Sequence, residues 1–437
     1  MHARLLQLVD ARQNSTLNSE HRLRRVRHVY VALLIAISCA LLGARAHAAA
    51  PNDPMLLLRL DAELRAIMAT GQTPGLALGV VYQGQPIYTR ALGVTSTELN
   101  TPLTADTRFR LASVSKTLSA ALIAKLVAQG FLQWETPVTL LVPSFKLRDP
   151  NSNFLTVAQL LSHRTGLPHH ALDRELEGSV EFWKIRDRLP KVASACAIGA
   201  CYAYQNLTYS YAADLSYAAS GNFFDIELKR QLFEPLSMTR ANVGLAALQE
   251  DDDWARPHTW RAGKNVAVPV KPNYYWMPAA AGINASLTDM LQWLAALQGA
   301  RAQVLDPQVL DSLTTPQIAT PGERFGPRWR RTRVVAASYG LGMRIFDYAG
   351  HRIEFHAGAV QGYRAIVVTL PEKKAGMVLM WNSETNLPAG LLPSVLDRWL
   401  DLPEEDWLQL ASFVPRTPTL ARPSGPAAKR NANSSRH

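Results

Sequence analysis

With 437 residues, 48% of them hydrophobic, the chain can bury a sizeable core, and nothing in its composition marks it as disordered throughout. Its formal net charge of +11 sits at the two ends: residues 1–48 carry Arg4, Arg12, Arg22, Arg24, Arg25, Arg27 and Arg45 against Asp10 and Glu20, and residues 413–437 carry Arg416, Arg422, Lys429, Arg430 and Arg436 against no acid. The body between them is close to neutral, which argues against a phosphate-tracking surface and so against a nucleic-acid partner.

The basic stretch His21–His28, the apolar run Val29–Ala44 and then Ala46-His47-Ala48 predict an export signal over 1–48, cleaved after Ala48. The apolar run falls short of the roughly 18–20 residues that span a bilayer, so an uncleaved anchor is the second reading and the only membrane attachment expected. A lipoprotein site at Cys39 ranks third, because apolar sequence continues past it. The expected location is periplasmic or secreted. Cys39 leaves with the signal, and Cys196 and Cys201 remain as a pair expected to be bridged in an oxidising compartment; two buried thiols are the alternative. So short a loop gains little chain entropy on closure, so a bridge there would shape its loop more than stabilise the fold.

Downstream, Leu57, Leu60, Leu64, Ile67 and Met68 recur at helical spacing between Pro54 and Thr70, with Gly71 placed to end that helix. Leu76–Tyr82 and Pro86–Ala91 read as an antiparallel hairpin around Gln83-Gly84-Gln85. Ser113–Gln129 is a helix apolar nearly all round, stopped by Gly130, and must be deeply buried. From about 131 to 330 short helical patterns alternate with prolines, and no alternation is long enough for a large sheet; this reads as a helical lobe with long loops. Within it Ser286-Leu287-Thr288-Asp289 resembles a capping box that opens a helix. Strand signal returns at Tyr339–Tyr348, Arg352–His356, Tyr363–Leu370 and Met377–Trp381, followed by a last helix at Leu391–Leu400 and a disordered basic tail over 413–437. The fold class is therefore α+β: one antiparallel sheet flanked by terminal helices, built from both ends of a domain over 49–412, with an inserted, mainly helical lobe and a cleft between them.

Ser113-Val114-Ser115-Lys116 opens the buried helix and sets a hydroxyl and an amine one turn apart on one face. Serine needs a base to become a nucleophile, and a lysine in apolar surroundings has a lowered pKa that lets it serve. Alone the pairing is weak, since Ser-x-x-Lys arises often by chance. Two further segments follow in order, Tyr204-Gln205-Asn206 and His356-Ala357-Gly358, the second at the edge of a predicted strand.

With these three elements the sequence resembles the superfamily of class C β-lactamases, penicillin-binding proteins and related esterases and D-alanyl carboxypeptidases, over roughly residues 54–400. Leu160–Pro168 and Ala281–Asp289 look like further landmarks of it. The resemblance implies that Ser113 is the nucleophile, Lys116 its activator, Tyr204 the partner base and acid, and Asn206 a contact to the substrate amide. It also implies an oxyanion hole made by the backbone N–H groups of Ser113 and Ala359, beside Gly358. His356 is expected as the fourth catalytic residue, a histidine that with Lys116 stabilises the Tyr204 phenolate, yet its segment His356-Ala357-Gly358 departs from the Lys-Thr-Gly of the β-lactamases. A histidine there, mostly neutral at pH 7, removes the cation that recognises a substrate carboxylate. His-x-Gly is common in the esterases and D-amino-acid peptidases of this superfamily.

The activity implied is acyl-enzyme hydrolysis of a β-lactam or a D-Ala-type peptide, with a carboxylesterase and a catalytically inactive ligand sensor as the alternatives. The expected partner is a small molecule or a peptidoglycan peptide; no cofactor and no metal is expected, and the oligomeric state is left open. His163, His169 and His170 lack metal-ligand spacing and read as loop residues. Tyr274-Tyr275-Trp276 would wall the cleft or pack in a core, and Glu250–Asp253 reads as a solvated loop, with calcium binding as the alternative.

Overall fold

The computed structural model describes residues 50–178 and 180–412. The segment expected to be an export signal, with Cys39, and the basic tail from residue 413 lie outside the described residues. The first helix spans Pro54–Ala69, with Asp53 as its N-cap accepting from the Met55 N–H at 2.8 Å and Pro54 in the first turn, where its missing N–H leaves nothing unpaired. Leu60, Leu64 and Ile67 form its buried stripe, and Gly71 turns the chain away at a φ of 68°.

The main sheet has eight strands: β1 Gly75–Tyr82, β2 Gln85–Gly93, β3 Ile318–Ala319, β4 Val334–Tyr339, β5 Arg344–Tyr348, β6 His351–Val360, β7 Tyr363–Leu370 and β8 Ala375–Trp381. Their order is β2-β1-β8-β7-β6-β5-β4-β3, and every neighbouring pair is antiparallel. The first hairpin therefore pairs with the last strand, and the two ends of the chain close one sheet. Both faces of β1 are covered: Leu76, Leu78 and Val80 face the terminal helices, while Ala77 and Val81 face the opposite core. Each such large aliphatic side chain contributes about 1.5–3 kcal/mol on burial. The outer core holds the Pro54–Ala69 and Leu391–Trp399 helices, and the inner one holds Ser115–Ala128 and Leu287–Leu297. The Ser286–Asp289 capping box is formed in both directions.

Three sequence expectations change. The run Tyr339–Tyr348 is not one strand: it breaks at Gly340–Met343 into β4 and β5, because Gly342 comes so close to the Ser115–Ala128 helix that a side chain there would collide with the Lys116 carbonyl. The helix expected from Ser113 begins at Ser115, and Ala112–Val114 forms a separate 3₁₀ turn. The inserted region does contain sheet, in short pieces: Phe109–Arg110 pairs with Ile283–Ala285, which pairs with Asn242–Val243, and His258–Arg261 pairs with Lys264–Ala267. Strands of two to four residues leave no alternation to read.

Candidate active site

Ser113 sits on a turn held from three sides. The Leu111 N–H donates to the Ile283 carbonyl at 3.0 Å, and the Ile283 N–H donates to Ser115 Oγ at 3.1 Å, hanging the turn on the small sheet. Ala112 takes a left-handed φ of 47°, a strained conformation for a residue with a side chain, beside a half-buried Ser113. From the third side β6 presses in: a Cβ on Gly358 would lie 2.2 Å from the Leu111 carbonyl and 2.9 Å from the Ser113 nitrogen. Only glycine allows this approach, which brings the Gly358–Ala359 backbone against the Ser113 N–H.

Lys116 is fully buried one turn on. Its Nζ lies 3.2 Å from Ser113 Oγ, 2.8 Å from Asn206 Oδ1 and 3.0 Å from the Ala280 carbonyl. Burial holds its pKa well below the ordinary lysine value; Asp173 works against this and Arg344 adds to it. A neutral amine has two hydrogens, which the Asn206 and Ala280 oxygens accept, and one lone pair, which then faces the serine hydroxyl.

Tyr204 comes from the inserted lobe. Its ring lies 4.7 Å from Lys116 Nζ and 5.1 Å from the Arg344 guanidinium. Burial pushes its phenol up to about 12, with Arg344 and the contact with Ser113 restraining the rise. The loop that carries it is pinned by the histidines. The Tyr204 N–H donates to His169 Nδ1 at 3.0 Å, the Gln205 N–H to His163 Nδ1 at 3.2 Å, and the His170 N–H to the Tyr204 carbonyl at 2.9 Å. These three histidines are thus more than loop residues: His163 is fully buried against Tyr204 and Tyr339. No cluster of metal-ligand side chains occurs among the described residues.

Asn206 uses both ends of its amide. Oδ1 accepts from Lys116, while Nδ2 donates to Asp173 Oδ2 at 2.7 Å, and the same carboxylate oxygen lies 2.8 Å from His170 Nδ1. One amide hydrogen of Asn206 is left for a substrate. Cys196 and Cys201 are bridged, five residues apart, next to Tyr202, whose hydroxyl donates to Glu323 at 3.1 Å.

His356 is placed close to this network but behind the cleft wall. Its Nδ1 lies 3.0 Å from the Ala357 carbonyl, so Nε2 carries the lone pair and accepts from the Tyr339 hydroxyl and from Arg344 Nη1, each at 3.2 Å. His163 completes the relay, with Nε2 3.2 Å from the same Tyr339 hydroxyl. Burial, with Arg344 and Lys116 nearby, holds the His356 pKa well below the ordinary histidine value. The cleft itself is lined by Ser113, Tyr204, Asn206, Asp173, Ala357, Ala359 and Arg344 and has a volume of about 710 Å³.

His356 carries no charge to the cleft at neutral pH, but another strand brings a cation there, since Arg344 lines it. This arginine stands on β5, in register with Phe355 beside His356, and shares Glu323 with Arg330. Burial alone would raise the Glu323 carboxyl, but Arg344 and Arg330 outweigh it and bring it down to about 2. Two cations around one carboxylate leave net positive charge at this end of the cleft. The sequence signal was present: one arginine inside the apolar run Leu341–Phe346. Asp173 had no comparable signal, because only folding brings it to Asn206. Tyr274 lines the cleft, whereas Tyr275 is buried. Asp251 and Asp253 are not a free solvated run, since they pair with Arg108 and Arg240.

The Beta-lactamase family model matches residues 60–396. Esterase EstB of Burkholderia gladioli is 28% identical over 342 residues, covering 70% of this chain and 84% of that one. A D-aminopeptidase of Brucella anthropi is 26% identical over 332 residues, covering 74% of this chain and 59% of that one. The chain spans less than two thirds of the length of several curated relatives, that peptidase among them. The solved structure of the octameric penicillin-binding protein homologue from Pyrococcus abyssi superposes with a TM-score of 0.70 at 24% identity, over 79% of this chain and 77% of that one, and shares the fold.

Proposed function

The chain belongs to the beta-lactamase family, and from that premise we propose that it is a serine hydrolase that forms an acyl-enzyme on Ser113 and cleaves an amide of the D-amino-acid peptide or β-lactam class. The observation that carries this reading is the buried Lys116 amine, 3.2 Å from Ser113 Oγ, in surroundings that disfavour its charge. Lys116 takes the hydroxyl proton as Ser113 Oγ bonds to the substrate carbonyl carbon. The Ser113 and Ala359 N–H groups receive the developing oxyanion. Tyr204, kept protonated by its raised pKa, gives its proton to the leaving group as the old bond breaks; its phenolate then takes a proton from the water that attacks the acyl carbon, and Lys116 returns its proton to Ser113 Oγ as the acyl bond breaks. His356 acts as a positioning residue here, since its ring meets Arg344 and Tyr339 and does not line the cleft.

Arg344 favours a substrate with a carboxylate near the scissile bond and so supports the amide reading. Ala357, which brings no hydroxyl to the cleft, favours the second reading, a carboxylesterase. The Cys196–Cys201 bridge supports an exported, oxidising location. The test is mass spectrometry after incubation with a cephalosporin, a D-Ala-D-Ala peptide and a short-chain nitrophenyl ester. We expect an acyl adduct on Ser113, absent from Ser113→Ala. An adduct that persists in that variant refutes the nucleophile, and turnover of the ester alone refutes the amide preference.

A further inference from the structure

Past Val360, at the end of β6 away from His356, the cleft continues into a side pocket of about 360 Å³. Arg110, Lys271 and Arg364 line it with Glu177, Glu384 and Tyr274. Arg110 is the unusual member. It is only 2% exposed, and it has no acid partner among the described residues. Its guanidinium lies 3.9 Å over the Tyr275 ring, and Nη1 donates to the Lys271 carbonyl at 3.3 Å. Among the described residues, Nε and Nη2 have no hydrogen-bond partner.

Those two atoms form one edge of the guanidinium, the fork that binds a carboxylate through two parallel N–H donors. The same molecule shows that fork filled elsewhere: Arg333 holds Asp397 through Nε at 3.1 Å and Nη2 at 2.9 Å. Glu177 and Glu384 are exposed and can turn to water, as Lys271 can, whereas Arg110 cannot. Arg364 donates to the Val360, Tyr363 and Glu384 carbonyls, forms no salt bridge among the described residues, and has the exposed Glu384 carboxylate as the acid that supports its charge.

We propose that this pocket binds a carboxylate carried on the arm of the substrate that runs past Val360, with Arg110 as its anchor. Nε and Nη2 are closed off from water in the free protein, so the entering carboxylate draws the guanidinium along the Tyr275 face to meet it. Lys271 and Arg364 attract the anion to the mouth. The inference rests on Ser113 marking the reacting end of the same cleft.

The test is calorimetric titration of Ser113→Ala protein with the monoanilides of succinic, glutaric and adipic acid, each against its neutral methyl ester. At least one acid should bind about tenfold or more tightly than its ester, as a bidentate charged pair does. Arg110→Gln should remove that advantage. Lys271→Glu, at an exposed position that folding tolerates, should reduce it by about threefold or more and serves if Arg110→Gln does not fold. Equal affinities of acid and ester, or no measurable binding of any acid, overturns the proposal. Turnover of the same anilides by the wild type that survives in Ser113→Ala would instead overturn the nucleophile and leave the binding comparison standing.

Discussion

The two regions that build this cleft hold their site residues by different means. On the sheet side, Ser113, Lys116, Gly358 and Arg344 sit on a helix turn and two strands, so backbone ladders and close packing fix them. On the inserted side, Asp173, Tyr204 and Asn206 come from short helices and loops, and side chains do the fixing: His163 and His169 accept backbone N–H groups, Asp173 holds Asn206, and a disulfide closes the adjoining loop. A loop without a ladder still has polar backbone groups to satisfy, and here histidine nitrogens satisfy them. The insert thus brings a buried phenol and an amide to the Ser113–Lys116 pair as well as a wall to the cleft.

That contrast can be broken most directly at Tyr204. Tyr204→Phe removes the proton donor while leaving the histidine pins, which grip the backbone, in place. We expect kcat to fall by about 10²–10⁴-fold with little change in Tm. Retention of most activity in steady-state assays would reduce the insert to a wall.

The pH profile sharpens the other side of the comparison. Lys116 must be neutral to accept the serine proton, and burial lowers its pKa in the folded protein. The rate should therefore rise about tenfold per pH unit on an acid limb that ends well below the ordinary lysine range. It should then stay level until Tyr204 ionises near about 12. An acid limb running up to pH 10 in kcat/KM would show that Lys116 is not desolvated in the working enzyme.

The smallest effect is expected at the disulfide. Replacing Cys196 and Cys201 by serine frees a loop only five residues apart in sequence, which adds little chain entropy. Tm should drop by no more than about 4 °C, while KM rises as Tyr202 and Glu323 lose their register. A large loss of Tm with unchanged KM would make the bridge a clamp on the fold rather than on the cleft.

Much of this was legible in the chain. Apolar spacing located the Pro54–Ala69, Leu287–Leu297 and Leu391–Trp399 helices and the hairpin of β1 and β2, because periodic burial writes itself directly into residue order. The spacing of Ser113 and Lys116 within one turn set their mutual distance before any coordinates. The break between β4 and β5 was hidden, since the apolar run continues across a kink whose cause is a glycine meeting a distant helix.

By itself, then, the sequence determined the terminal sheet with its helices, the order of the three site segments and the chemistry of the Ser113–Lys116 pair, all consequences of local spacing. Only the tertiary structure decided that His356 turns behind the wall, that Arg344 brings a cation to the cleft from a neighbouring strand, and that Asp173 and the histidines brace the inserted loop. Those outcomes depend on which side chains meet across the fold and on how burial shifts their charges, and neither quantity has a period along the chain.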